Sequence, residues 1–196
     1  STRQLCERPF TEQIKRVCEL QPQAIILREK DLTEDAYTML LSQIQPICAD
    51  AGIALIPHTF VRSARALGFH SIHLPLHILE KYALTDDLED FTTIGTSVHS
   101  VEDAHRAQTL GATYLTAGHI YATDCKKGLA PRGIPFLKEV CQSVTIPVYA
   151  IGGIKNNPEQ LRELSEAGAS GACIMSGIKI SYLKLQHSSA SSTNED

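Results

Sequence analysis

The sequence has 196 residues and a formal charge of −4, with 18 lysines and arginines against 22 aspartates and glutamates. With 43% hydrophobic and 20% charged residues it can bury an ordinary core, which excludes a wholly disordered, collagen-like or coiled-coil chain. The sequence lacks a basic cluster and an apolar run of roughly 18 residues, so we expect no nucleic-acid partner and no membrane association.

The cysteines show no pairing or metal-binding pattern. None of the six stands in a CxxC pair, so the sequence predicts neither a disulfide framework nor a zinc site, and no metal ligands are assigned. No signal peptide is recognisable at the start of the sequence, and a reducing cytoplasm is the expected location. The cysteines are Cys6, Cys18, Cys48, Cys125, Cys141 and Cys173.

Short apolar or β-branched runs recur along the chain about every 24 residues, which is the length of a strand, a helix and two short loops. Strands that alternate with helices pair in parallel, so the fold class is α/β. The period fits an open doubly wound sheet or a (β/α)8 barrel that lacks one strand, and it favours the barrel. The predicted strands are Ala24–Leu27, Ile53–Ile56, Ser71–Leu74, Thr92–Val98, Thr113–Thr116, Pro147–Ile151 and Ala172–Met175.

Three helices can be predicted between these strands. Asp35–Asp50 has apolar residues at helical spacing. Ser100–Leu110 opens with an N-cap serine followed by acidic residues. Asn157–Ala167 opens with Asn-Pro-Glu and ends at a glycine. Residues 1–186 are therefore predicted to form one domain, followed by a polar, disordered tail over residues 187–196.

Two glycine-containing turns are predicted to bind phosphate, because ligands of α/β folds gather beyond the carboxyl ends of the strands. Gly152 and Gly153 end one strand and allow backbone N–H groups to approach an anion. Ser176 and Gly177 end the next strand, where a short helix would point its N-terminus at the same anion. The alternative is that the paired glycines only form a tight turn.

His119 is the candidate catalytic residue, because it directly follows a strand and imidazole transfers protons near neutral pH. The alternative is a hydrogen-bonded loop histidine. Lys126, on the same loop, is expected to close over an anionic substrate.

Charged and histidine side chains follow other strands. Arg28 and Lys30 end an apolar strand with Glu29 between them, so they contact either a ligand or, in the case of Arg28, the neighbouring glutamate. His99 either touches ligand or supports its loop. Pro75 separates His73 from His77, so a metal-binding pair on one helix is not expected.

Taken together, these segments resemble the thiamin phosphate synthase/TenI family over nearly the whole chain. The resemblance implies a (β/α)8 TIM barrel whose first strand, near Ser1–Arg3, is truncated or degenerate. The matching segments are Leu27–Lys30, Gly95–Ser100, Gly111–Tyr114, Gly118–Gly128, Ile146–Ile154, Ala167–Gly171 and Met175–Gly177.

The resemblance implies two alternative functions. The synthases join a pyrimidine pyrophosphate to a thiazole phosphate with Mg²⁺ held by two aspartates, but this sequence has His58-Thr59 at one position and Pro75-Leu76-His77-Ile78 at the other. Threonine and isoleucine do not replace carboxylates as Mg²⁺ ligands. Gly118-His119 is similar to the TenI branch, whose members are thiazole tautomerases. We therefore expect an isomerase, with a synthase or a non-catalytic phosphate-binding or regulatory protein as alternatives.

The tautomerase hypothesis, which rests on the resemblance, implies a role for each site residue. His119 would move the proton that converts a carboxylated thiazole phosphate to its aromatic isomer, and no cofactor would be needed. Gly153, Ser176 and Gly177 would hold the phosphate, and Lys126 would orient the substrate carboxylate. The expected partner is thus the small-molecule thiazole phosphate, and by resemblance the protein is expected to be a homo-oligomer.

Overall fold

A computed structural model describes residues 9–123, 126, 128–175 and 181–184 of the chain. Seven of its strands match the seven predicted runs, with small shifts at the ends. An eighth strand lies near the carboxyl end of the described residues. The strands are β1 (Ala24–Leu27), β2 (Ala54–Pro57), β3 (Ser71–Pro75), β4 (Thr93–Val98), β5 (Tyr114–Gly118), β6 (Val148–Ile151), β7 (Gly171–Ile174) and β8 (Ser181–Lys184).

One helix precedes β1 and the others lie between strands. The three predicted helices are present, and two of them begin at the predicted caps. Ser100 Oγ accepts the Asp103 amide at 3.0 Å, and Asn157 Oδ1 accepts the Gln160 amide at 2.9 Å. The helices are α1 (Phe10–Glu19), α2 (Glu34–Asp50), α3 (Val61–Ala66), α4 (Leu76–Tyr82), α5 (Val101–Thr109), α6 (Gly133–Ser143) and α7 (Pro158–Glu166), with a 3₁₀ turn at Asp86–Leu88.

The strands follow a barrel-like order, which confirms the α/β fold class. β1 pairs with β2, and β3 to β7 pair in sequence, all in parallel. A single parallel bridge between His58 and His73 links β2 to β3. The additional strand β8 pairs antiparallel with β7, and it lies beside β1. The predicted first strand, at the start of the chain, falls outside the described residues.

Side chains alternate between two sides of the strands, and this alternation defines the interior of the barrel. Ala24, Ile56, Tyr114 and Cys173 form a small inner cluster, against which Ile26, Tyr149 and Ile151 pack while staying partly exposed. The larger apolar core lies between the outer side of the strands and the helices. The interior therefore stays partly open, as a ligand site at the end of a barrel requires.

Among the described residues, no helix has the length and apolar character needed to cross a membrane. The polar tail predicted for residues 187–196 lies outside the described residues, as does the end of the predicted domain beyond residue 184.

Candidate functional site

Arg28 and Lys30 lie at the carboxyl end of β1. Arg28 is two residues beyond Ile26, which packs against the inner cluster, so strand alternation directs it toward the interior. Glu29 is 2% exposed and faces the other way, where its charge contributes to raising the pKa of the Tyr37 hydroxyl above its usual range, behind the larger effect of burial. Arg28 is half-buried and Lys30 is exposed.

Two histidines lie beside these cations. His58 follows β2 and His73 is within β3, and their rings stack with centroids 5.4 Å apart. Burial lowers the pKa of His58 well below its ordinary value, and a proton on His73, together with the positive charges of Arg28 and Lys30, would lower it further. Burial, with a smaller contribution from Arg28, lowers the pKa of His73 to about 3. Both imidazoles are therefore neutral at pH 7.

Hydrogen bonds hold both rings in place. His58 Nδ1 lies 2.6 Å from Thr59 Oγ1, while His73 Nδ1 lies 3.0 Å from the Tyr114 hydroxyl. His73 Nε2 lies 2.9 Å from Ser97 Oγ, which in turn bonds Thr116 Oγ1 at 2.9 Å. We call Arg28, Lys30, His58, Thr59 and His73 the cationic edge. Arg28 and Lys30 were predicted from the sequence as ligand contacts, and this stays a prediction, whereas His58 and His73 were not predicted as site residues. The inward position of His73 in the strand Ser71–Pro75 was a signal for it.

His119 lies at the opposite side of the strand ends. Its side chain is buried, at 7% exposure, and its Nε2 atom has no hydrogen-bond partner among the described residues. Its carbonyl accepts the Arg132 amide at 2.9 Å, which fixes the loop behind it. A buried polar atom without a partner is costly, so Nε2 is a natural contact for a bound ligand.

The structure also places the other histidines and the lysine that the sequence analysis considered. His99 Nδ1 lies 2.7 Å from the Gly118 carbonyl oxygen, so His99 supports the loop. Lys126 is exposed, and its amide donates to the Thr123 carbonyl at 3.1 Å. His77 is exposed on α4, whereas His73 is buried in β3, in agreement with the prediction that they form no pair on one helix.

Gly152 and Gly153 pack closely against the loop that carries His119. Both have positive φ angles, +98° and +70°. A Cβ atom on Gly152 would lie 2.3 Å from His119 Cβ, and one on Gly153 would lie 2.5 Å from the Ala122 carbonyl oxygen. The glycines are thus required by the turn and by this packing, while phosphate binding by the same turn stays a prediction. Ser176 and Gly177 lie outside the described residues.

A sequence profile described as thiamine monophosphate synthase matches residues 1–178 of the chain. The chain belongs to the thiamine monophosphate synthase family. Thiamine-phosphate synthase from Clostridium tetani is 34% identical over 157 residues, 78% of this chain and 72% of the relative. The thiamine-phosphate synthase of Clostridium acetobutylicum is 35% identical over 153 residues, 78% of this chain and 71% of the relative.

Solved structures agree with this assignment. A thiamine phosphate pyrophosphorylase from Pyrococcus furiosus superposes with a TM-score of 0.70 at 26% identity, covering 85% of this chain and 79% of that chain. The BexX/CysO complex from Amycolatopsis orientalis, at 18% identity and a TM-score of 0.59, covers 87% of this chain and 76% of that chain and shows a shared fold alone. The resemblance inferred from the sequence is therefore confirmed at the level of the family.

The expectation of a thiazole tautomerase, an isomerase, is wrong. The relatives at 30–34% identity over most of this chain are named thiamine-phosphate synthases, which are transferases. The tautomerase was predicted mainly from His119 and from the absence of the two Mg²⁺-binding aspartates of the synthases. Similarity over the whole barrel outweighs that local difference.

The residues at the cationic edge do not fit the Mg²⁺ ion that the resemblance implies for synthases. Mg²⁺ prefers carboxylate oxygens, whereas this edge offers the neutral imidazole of His58 and the hydroxyl of Thr59, and the apolar Pro75 and Leu76 follow at the end of β3. Across residues 9–123, 126, 128–175 and 181–184, no group of three or more His, Cys, Asp or Glu side chains is placed to hold a metal ion.

Proposed function

We propose that this chain is a transferase that acts on the substrates of thiamine-phosphate synthases, joining a pyrimidine pyrophosphate to a thiazole phosphate. The observation that supports it most is the family match over residues 1–178, with relatives named thiamine-phosphate synthase covering more than two thirds of both chains. The site that would serve this function lies where barrels bind ligands, at the carboxyl ends of the strands.

The charges at the site suit two anionic substrates. Arg28 and Lys30 would bind the pyrophosphate, since guanidinium and ammonium groups form strong, charge-assisted hydrogen bonds to phosphate oxygens. The turn at Gly152 and Gly153 would hold the thiazole phosphate, and Ser176 and Gly177, outside the described residues, are proposed to contribute to the same phosphate site. His119 Nε2, buried and without a partner among the described residues, would donate to or accept from one of the rings.

For this reaction the site must stabilise pyrophosphate as it leaves. The carbon–oxygen bond between the pyrimidine's methylene carbon and pyrophosphate breaks, the thiazole ring nitrogen supplies the electron pair for a new bond to that carbon, and inorganic pyrophosphate leaves with increased negative charge. Fixed positive charges near the departing oxygens stabilise that charge as it develops. Arg28 and Lys30 are the cations that the structure places at the strand ends beside His58.

A coupled assay tests the proposal directly. The full chain is incubated with pyrimidine pyrophosphate and thiazole phosphate, with Mg²⁺ or with EDTA, and thiamin phosphate is quantified by chromatography. We expect product in proportion to enzyme, and a loss of roughly 10–100-fold in Lys30→Met, the range for one charge-assisted hydrogen bond. The control Lys138→Met removes an exposed charge on α6 and should leave the rate unchanged. Absence of product under both conditions would refute the transferase.

A second candidate function is a binding protein that keeps the phosphate pocket without the condensation. One observation favours it: the side chains at the ends of β2 and β3 lack the carboxylates that the resemblance implies for synthases. Calorimetric binding of thiazole phosphate, together with no product in the assay above, would select this candidate.

A further inference from the structure

We propose that the cationic edge binds a pyrophosphate group directly, without a divalent cation. The inference deepens the proposed function, because it names how the pyrophosphate substrate of that reaction is held. Other side chains stand where the resemblance to synthases implies carboxylates. The chain has His58 and Thr59 after β2, and Pro75 and Leu76 at the end of β3.

The backbone brings the parts of this edge together. β1 and β2 are paired in register from Ala24 with Ala54 to Leu27 with Pro57, and the bridge between His58 and His73 extends that order to β3. Arg28 and His58 each follow the last paired residues of their strands, so they are adjacent at the same end. Arg28 is close enough to both histidines for its charge to act on them.

The balance of charge favours an anion at this place. His58 and His73 are neutral, so they neither supply negative charge to a cation nor repel the guanidinium. Two carboxylates neighbour the cations in sequence: Glu29 is 2% exposed and lies on the outer side of the strand near Tyr37, and Asp31 is exposed directly after Lys30. A guanidinium has five N–H donors, so Arg28 can keep its contacts within the protein and still bind phosphate oxygens.

A site that binds pyrophosphate through Mg²⁺ would have carboxylates at the positions where this site has neutral side chains. Mg²⁺ that bridges protein and pyrophosphate needs one or two carboxylates on the protein side. Here the same positions present a hydroxyl and an imidazole that are already hydrogen-bonded to each other at 2.6 Å. Two cations and two neutral rings attract free pyrophosphate more strongly than its magnesium complex, because Mg²⁺ cancels two of the charges that Arg28 and Lys30 recognise.

Calorimetry with inorganic pyrophosphate tests the inference, using the full chain in EDTA and in excess Mg²⁺. We expect binding in EDTA at least as tight as in Mg²⁺, and a roughly 10–100-fold weaker Kd in Arg28→Met and Lys30→Met. Lys138→Met, on the exposed side of α6, serves as the control with unchanged affinity. Binding that requires Mg²⁺, or that becomes tenfold tighter with it, overturns the inference.

A carboxylate placed back at the edge provides a second test. Thr59 has φ +72°, a conformation that aspartate adopts more readily than threonine, so Thr59→Asp suits the backbone. We expect this variant to bind pyrophosphate about tenfold more weakly in EDTA and to recover part of the loss in Mg²⁺. Circular dichroism is used to check that the variant is folded. Unchanged affinity in EDTA would show that Thr59 is not at the anion site, and would overturn the inference.

The two proposals fail in different ways. Condensation that occurs only with Mg²⁺, with pyrophosphate binding that also needs it, would keep the transferase and remove the metal-free site. Metal-independent pyrophosphate binding without any condensation would keep the site and remove the transferase.

Discussion

The rings of His58 and His73 stack with their centroids 5.4 Å apart and their planes inclined by 22°. Both side chains are buried, and the ring nitrogens of His73 are bonded to Tyr114 and Ser97. A proton on either ring would place a charge in a buried position beside the other ring and near Arg28. The pair is therefore a structural element that depends on both rings staying neutral.

We predict that the protein loses stability as the pH falls below about 6.5. The pKa of each histidine is lowered in the folded state, so the unfolded chain binds protons first and gains stability relative to the folded chain. The stabilisation is present above the unfolded pKa and is lost as the pH falls toward the folded value, about 3 for His73. Urea unfolding at pH 7.5 and 5.0 should differ by about 2 kcal/mol from His73 alone, with His58 adding in the same direction.

Two variants separate this effect from general acid sensitivity. His73→Gln removes one titrating ring and should reduce the pH-dependent loss, although the variant is less stable at every pH. His105→Gln, on the exposed side of α5, should retain the full loss. Equal free energies of unfolding at the two pH values in the unaltered protein would contradict the prediction.

The turn after β6 gives a second prediction, because Gly153 and Gly68 have nearly the same φ, +70° and +71°. A Cβ atom at Gly68 meets nothing within 4 Å, whereas one at Gly153 lies 2.5 Å from a carbonyl oxygen. Gly68→Ala should cost about 1–2 kcal/mol from backbone strain alone. Gly153→Ala should cost a further 1–3 kcal/mol from overpacking, measured by urea unfolding. Equal losses in the two variants would show that the turn adapts without cost.

The elements that could be predicted from the sequence are those whose signals are local. Seven strands and three helices follow from apolar runs and caps, such as the serine at Ser100 and the proline at Pro158. The helix α4 was not predicted, although it begins at Leu76, directly after the proline that ends β3. The antiparallel pairing of β8 depends on contacts with distant residues of β7, which no local pattern encodes.

The candidate site was predicted only in part, for a similar reason. Arg28, Lys30 and His119 were predicted as site residues because each follows a strand, which is a local signal. The neutral His58–His73 pair depends on the register between β2 and β3, which the sequence does not show. The prediction of a tautomerase was wrong because it relied on His119 and on two missing aspartates. The similarity to synthases extends along most of the chain and is better evidence.

A buried hydroxyl between β1 and β2 gives a third prediction. Tyr37 on α2 donates to the Leu27 carbonyl at 2.7 Å and accepts the His58 amide at 2.8 Å. Tyr37→Phe leaves both backbone groups buried without this partner, so we expect a loss of about 1–3 kcal/mol in the free energy of unfolding. Weaker pyrophosphate binding should accompany it, since both ends of the cationic edge shift.

Tyr121→Phe is the matched control for that prediction. It also removes a tyrosine hydroxyl, but one that donates to Glu163 in an exposed position. When an exposed hydrogen bond is lost, water takes the place of the missing partner. We therefore expect the free energy of unfolding of Tyr121→Phe to change by less than about 1 kcal/mol. Similar losses in the two variants would mean that burial of the Tyr37 hydroxyl contributes little.

The last prediction concerns the Nε2 atom of His119, which is buried and has no partner among residues 9–123, 126, 128–175 and 181–184. A ligand that bonds this atom gains an interaction that the free protein lacks. His119→Gln keeps an amide nitrogen near the position of Nε2, and His119→Leu removes the polar group. We expect His119→Leu to bind thiazole phosphate roughly 10-fold more weakly, and His119→Gln to stay within about threefold of the unaltered chain.

Calorimetry measures the affinity of both variants for thiazole phosphate, and urea unfolding measures their stability, so that a loss of binding can be separated from a loss of folding. Because Nε2 makes no bond within the described protein, His119→Leu should lose no stability through a broken hydrogen bond. A variant that binds weakly while unfolding at the same urea concentration therefore reports a ligand contact. Equal affinity in His119→Leu and the unaltered chain would place the ligand away from this imidazole, and the polar contact would then have to come from the turn at Gly152 and Gly153.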